Sequence, residues 1–226
     1  MPAYRSEAET EIRAEVVDHL RHHRPEARII HEINAGSFGN RIDVLAVSPA
    51  EIIAVEIKSA KDKLDRLSDQ LHAMRRVSHQ AYYAVHEKFL VEYKTNQFTA
   101  HYERDGVYYM RDLPKPFRHG PAWIYPRRVR SANRSMDNLA RWRIENMRPA
   151  TSLPSGSIGM LWRDELYALC GELRVPVRKR ANMTEMQNAL RWNCTGRDLT
   201  HGICAALRRR ECCEADPAVT EMGAVE

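Results

Sequence analysis

The chain has 226 residues, 43% of them hydrophobic and 29% charged, and a formal net charge of +5. That is enough for one sizeable core plus a smaller appendage, in an ordinary soluble globular composition. No apolar run reaches the roughly 18 residues of a membrane span and the opening MPAYRSEAETEIR has no signal-like apolar centre, so the expectation is a cytoplasmic protein without a membrane partner.

Ser6-Glu7-Ala8-Glu9 is a capping-box pattern, and Ala8, Ile12, Val16, Val17 and Leu20 follow at helical spacing. A helix is predicted over 7–22, ending before Pro25. A strand is predicted over 27–33, then a turn-rich loop over 34–40. Two β-branched runs come next, Ile42-Asp43-Val44-Leu45-Ala46-Val47 and Ile52-Ile53-Ala54-Val55-Glu56-Ile57-Lys58, separated by Ser48-Pro49-Ala50-Glu51. They read as a hairpin with Pro49 in its turn. Neither alternates cleanly, as expected of strands covered on both faces.

A helix is predicted over 63–77, with Leu64, Leu67, Leu71 and Met74 on one stripe. A strand is predicted over 82–91, and a hairpin over 97–110 through Arg104-Asp105-Gly106. Residues 111–157, rich in Pro, Arg and Trp, read mostly as a connector, with a helix possible over 135–147. Three short helices are expected within 158–210, Thr184 capping the second and Thr200 the third. A disordered acidic tail over 211–226 is expected. The domain reading is therefore a core over 1–110, a basic connector over 111–157, a small helical domain over 158–210, and the tail. The five cysteines (Cys170, Cys194, Cys204, Cys212, Cys213) form no CxxC pair and are odd in number, which argues against a disulfide framework or zinc ribbon and for idle thiols.

The hairpin carries the chemistry. An even loop pairs Val47 with Ile52, and counting back sets Asp43 opposite Glu56. Directly opposed residues share a face, with Cβ atoms about 4.5–5.5 Å apart, and Lys58, two residues on, points to the same side. A three-residue loop or a bulge would break this pairing. Two adjacent carboxylates on an apolar face repel each other and are costly to desolvate; a hard cation such as Mg²⁺ or Mn²⁺ removes both problems. The competing reading is a simple ion pair of Lys58 with either acid at an exposed edge.

Arg41-Ile42-Asp43 followed by Val55-Glu56-Ile57-Lys58-Ser59 resembles the Asp … Glu-x-Lys core of the PD-(D/E)xK nuclease superfamily. The segment Glu56-Ile57-Lys58-Ser59 with Asp62, Leu64, Arg66-Leu67 and Gln70 is similar to small bacterial and phage nucleases that carry EIKS and then RLxxQ, and to the virus-type replication-repair nuclease group. The resemblance covers roughly residues 4–95. It implies an α/β fold with a restriction-endonuclease-like core, a mixed central sheet flanked by helices, to which a small helical C-terminal region is added. It further implies a metal site of Asp43, Glu56 and the Ile57 carbonyl, Lys58 as the catalytic lysine, Gln70 facing the site, and an acid from the first helix, Glu11 or, one turn earlier, Glu7. Met74 stands where that branch often has an aromatic.

Residues 111–148 hold ten Arg or Lys and three acids, a balance suited to phosphate. Arg41 and Arg66 beside the motif, and Arg127, Arg128 and Arg130 after Trp123 and Tyr125, are the residues expected on nucleic acid. The expectation is a Mg²⁺-dependent DNA endonuclease of phage or bacterial DNA metabolism, repair or defence, with a homodimer left open. The alternatives are a non-cutting nucleic-acid-binding module on the same fold, and a DNA-binding regulator that uses the C-terminal helices.

Overall fold

The computed structural model describes residues 6–36, 39–118, 120–127, 142–146, 151–212 and 214–219. Helix α1 (Glu7–His23) starts where the Ser6 side chain accepts the Glu9 amide, and Arg21, His22 and His23 in its last turn suit the helix dipole. Strands β1 (Arg28–Asn34), β2 (Arg41–Val47) and β3 (Ile52–Lys58) run antiparallel in sequence order. The β2–β3 loop is even, so Val47 faces Ile52 as expected. Helix α2 (Leu67–Arg75) then crosses over to β4 (Gln80–His86), which lies parallel to β3.

Val91–Lys94 (β5), Tyr102–Arg104 (β6) and Val107–Asp112 (β7) form a separate three-stranded sheet in the order β5-β7-β6. Its β6–β7 turn is Asp105-Gly106, both at positive φ, the backbone a two-residue hairpin requires. Ala122–Tyr125 (β8) returns to the main sheet, parallel to β4, and completes the order β1-β2-β3-β4-β8. This strand lies inside the stretch expected to be a connector. The helix expected over 135–147 falls largely outside the described residues, and 142–146 are not helical.

The fold class is as expected: α/β, a mixed sheet flanked by helices, and a helical C-terminal region. Ile12, Val16 and Leu20 of α1 bury one face of the sheet against Val44, Ala46, Ile53, Val55 and Trp123. The other face, with Leu45, Val47, Ile52 and Ala54, packs on Leu67, Leu71 and Met74 of α2. All seven residues of β3 are buried.

Helices α3 (Arg163–Glu172), α4 (Met183–Asn193) and α5 (Gly196–Arg209) join the α2 face, where Leu166, Leu190 and Leu207 belong to the same apolar cluster as Leu45. They share that core with the sheet. The caps differ from expectation: Asn182 with Glu185 closes α4 and Thr195 with Asp198 closes α5. Thr184 lies two residues inside the actual cap, and Thr200 is buried within α5, where it accepts the Leu153 amide. Cys170, Cys194 and Cys204 are free thiols, and Cys170 and Cys204 are buried.

Of the tail expected to be disordered, residues 214–219 pack against β1, and 220–226 lie outside the described residues. Ala215 bridges Ile30, the His31 amide donates to the Glu214 carbonyl, and the Asp216 amide donates to the Ile29 carbonyl. This covers the exposed edge of β1, which would otherwise present unpaired backbone. Arg28, buried beneath it, donates to the Leu207, Arg208 and Arg210 carbonyls and so satisfies the end of α5. Among the described residues no helix is long and apolar enough to cross a membrane.

Candidate active site

Strand parity puts Asp43 with Leu45 and Val47, and Glu56 and Lys58 with Ile52 and Ala54, all on the α2 face. The paired register runs from Val47–Ile52 to Val44–Val55. At the next step the Asp43 side chain takes over, and its Oδ2 accepts the Ile57 amide at 2.7 Å. The Ile57 carbonyl leaves the strand on the same side as that amide, toward β2.

Glu56 is 2% exposed and Lys58 9%. Lys58 Nζ donates to Glu56 Oε1 at 2.7 Å, and Gln70 Nε2, from α2, donates to the same oxygen. Glu56 Oε2 is buried without a hydrogen-bond partner among the described residues. The ion pair of the competing reading therefore exists, but it is interior, and it uses only half of the carboxylate.

Burial raises the Glu56 carboxyl to about 8, and the Asp43 charge adds to the rise, while Lys58 and Gln70 oppose it. Burial also raises Asp43 to about 6; the Ile57 amide and Arg13 counter this, and Glu32 adds to it. Desolvation thus dominates both acids, and at Glu56 the Asp43 charge adds to it. A cation between them would relieve both. Among the described residues no group of three or more His, Cys, Asp or Glu side chains could hold an ion. The fit is instead two carboxylates, a backbone carbonyl and solvent, a donor set that suits Mg²⁺, which keeps several waters.

Behind Asp43 stands a network the sequence did not announce. Arg13 of α1 donates to the Asp43 backbone carbonyl, to Glu9 (2.8 Å) and to Glu32 (2.8 Å). Glu32 also pairs with Arg41 at 2.7 Å. It lies in β1 at φ 56°, a left-handed backbone that is rare outside glycine. The side-chain alternation slips there: Ile30 and Ile33 face the α2 side, while His31 and Glu32 both turn to Arg13. Two signals were available: a charged residue next to Ile12 on the buried stripe of α1, and an acid amid Ile29, Ile30 and Ile33.

The structure does not bring Glu11 to the pair. Glu11 is exposed and accepts the Tyr125 hydroxyl of β8 at 3.1 Å, and Glu7 is exposed as well. The reason is rotational: the stripe Ile12–Val16–Leu20 turns residues 7 and 11 toward β8 and residues 9 and 13 toward β1. Arg66 is exposed at the N-cap of α2, and its carbonyl accepts the Gln70 amide. Arg41 is exposed apart from its pairing with Glu32. Arg127 is exposed, 5.8 Å over the Trp142 ring; Arg128 and Arg130 lie outside the described residues. Trp123 is buried between Tyr82 and Trp142, both stacked on it, and has no free face for a base.

The family model of bacteriophage P4 protein cII matches residues 3–97, from α1 through β5, a segment that includes Asp43, Glu56, Lys58 and Gln70. No curated protein and no solved structure matches the chain.

Proposed function

We propose that the chain is a cytoplasmic, metal-dependent nuclease of the PD-(D/E)xK type that hydrolyses phosphodiester bonds in DNA. The observation that carries the reading is the buried Glu56 carboxylate, tied to Lys58 and Gln70 through one oxygen and, among the described residues, unpartnered at the other, with Asp43 beside it. Asp43, Glu56 and the Ile57 carbonyl are the groups that would hold the ion. A divalent cation bound there would polarise the scissile phosphate and make a water easier to deprotonate.

The chain's own residues then have separable tasks. Gln70 fixes the rotamer of Glu56, and Arg13 fixes β2 from behind through the Asp43 carbonyl. Lys58 spends one N–H on Glu56 and has two left. Those can orient the attacking water and donate to a phosphate oxygen as negative charge grows on it. Arg41 and Arg66 lie exposed beside the motif, able to meet flanking phosphates. The likeness of residues 3–97 to a bacteriophage protein suits a role in phage DNA metabolism.

The test is cleavage of supercoiled plasmid and of labelled oligonucleotides with Mg²⁺ or Mn²⁺. Cleavage should vanish in EDTA and in Lys58→Ala, with the fold of the variant retained. Cleavage that survives either treatment, or none with any divalent metal, overturns the reading. Salt-sensitive binding without cleavage would point instead to a binding module.

A further inference from the structure

The small sheet has two unlike faces. Directly paired residues share a face, so the register gathers Glu92, Lys94, Tyr102, Arg104, Tyr109 and Arg111 on one side and Tyr93, Met110 and Asp112 on the other. The second side is covered by the returning chain. Arg118 lies 4.4 Å over the Tyr93 ring and 3.7 Å from Asp112, and the Tyr93 hydroxyl donates to the Leu113 carbonyl.

On the first side, the side-chain contacts among the described residues stay within the sheet. Tyr102 and Tyr109 stack across the strands, with centroids 5.8 Å apart and rings inclined by 21°. Arg104 lies 4.6 Å over the Tyr109 ring, and Arg104 and the Tyr102 hydroxyl both bond Glu92. Lys94 and Arg104 are exposed, and Tyr102, Tyr109 and Arg111 are half-buried.

We propose that this side is a binding platform for a single nucleic-acid strand. Three cations face one carboxylate, so the surface complements a phosphate backbone. The Tyr102–Tyr109 pair, with Arg104 over Tyr109, makes an aromatic and cationic surface on which unpaired bases can stack, bases that a duplex keeps hidden in its own stack. Stacking and phosphate pairing do not read the sugar, so DNA and RNA strands should bind alike.

The platform is rooted at the candidate active site. It follows directly from β4, whose Val85 pairs with Lys58, and Lys88 Nζ donates to the Ala60 and Asp62 carbonyls in the turn after Lys58. Delivery of the strand to Lys58 rests on the nuclease reading, whereas binding does not.

The experiment is fluorescence anisotropy of labelled oligo(dT), oligo(U) and a duplex of equal length, on the full chain carrying Lys58→Ala, in EDTA. Lys94→Glu with Arg111→Glu should weaken single-strand binding at least roughly tenfold and reduce the salt slope by about two. Tyr102→Ala should cost about tenfold as well. The Lys94/Arg111 pair lies outside the core, so it keeps the test decisive even if Tyr102→Ala unfolds. Single-strand affinity unchanged in these variants, or a duplex bound more tightly than the single strand, overturns the proposal. Loss of binding in the variants of a protein that cuts nothing leaves the platform standing and removes the nuclease; cutting with unaltered binding in the variants does the reverse.

Discussion

Asp43 Oδ2 accepts the Ile57 amide at 2.7 Å, one step beyond the last paired rung of the β2–β3 ladder. The side chain thus does a backbone carbonyl's work, which fixes its rotamer and holds the carboxylate beside Glu56. Asp43→Asn keeps an acceptor for that amide and removes the charge. Stability should therefore change by no more than about 1 kcal/mol, because the hydrogen bond survives. Cleavage should fall at least about 100-fold, since loss of even an outer partner of a metal ligand can cost that much. Thermal melts and single-turnover rates on the same preparation check both halves.

The pair of raised carboxyls makes a second prediction. A cation that binds only the folded chain stabilises it by about 2.7 kcal/mol at a hundred times its Kd. For a chain of this length that is roughly 5–10 °C in Tm. Mg²⁺ should raise the Tm of the wild type and leave that of Glu56→Gln nearly unchanged. In EDTA, Glu56→Gln should melt no lower than the wild type at pH 9, because it removes a buried charge whose second oxygen has no partner among the described residues. Equal Mg²⁺ shifts in the two proteins would place the ion elsewhere.

His19 supplies the pH dependence. It is fully buried against the edges of Trp123 and Trp142, and burial, with His23 next in weight, lowers its pKa from 6.5 to about 3. The folded chain holds it neutral while the unfolded chain takes up a proton below 6.5. The stabilisation is therefore complete above pH 6.5 and is lost as the pH falls toward 3. His19→Phe keeps an aromatic ring in the slot and cannot take a proton. Urea midpoints of the wild type should fall between pH 7.5 and 4.5 more steeply than those of His19→Phe; parallel curves would show that other groups carry the slope.

The hairpin was legible because its information is local. Two β-branched runs and the even loop Ser48–Glu51 set the register, which carried one step past Val44–Val55 brings Asp43 close enough to act on Glu56. Gln70 was legible only through resemblance, since its distance from Glu56 is closed by a crossover helix. Glu32 escaped because a left-handed backbone at a glutamate overrides strand alternation, the rule by which faces are assigned. β8 escaped as four residues in a Pro- and Arg-rich stretch, and the tail because its pairing with β1 spans most of the chain. The caps Asn182 and Thr195 were missed for a different reason. Thr184 and Thr200 offer the same side-chain chemistry nearby, and only the acids Glu185 and Asp198, three residues after the true caps, tell them apart.

Arg13 is where fold and site meet most closely. It is 5% exposed and is shared among Glu9, Glu32 and the Asp43 carbonyl. Arg13→Leu removes one donor from each of two carboxylates and from a carbonyl, while Glu32 keeps Arg41. The cost should be about 2–3 kcal/mol, below the range of a fully buried pair because Glu9 and Glu32 keep some contact with water. β2 would also lose its hold behind Asp43, so Mg²⁺ affinity should drop along with stability. Arg13→Lys should recover less than half of either loss, because one ammonium cannot span three acceptors as a guanidinium fork does. Urea midpoints and Mg²⁺ titrations followed by Tm separate the two effects. If Arg13→Leu loses stability while Mg²⁺ affinity holds, the network braces only the fold and the position of Asp43 is set within the hairpin.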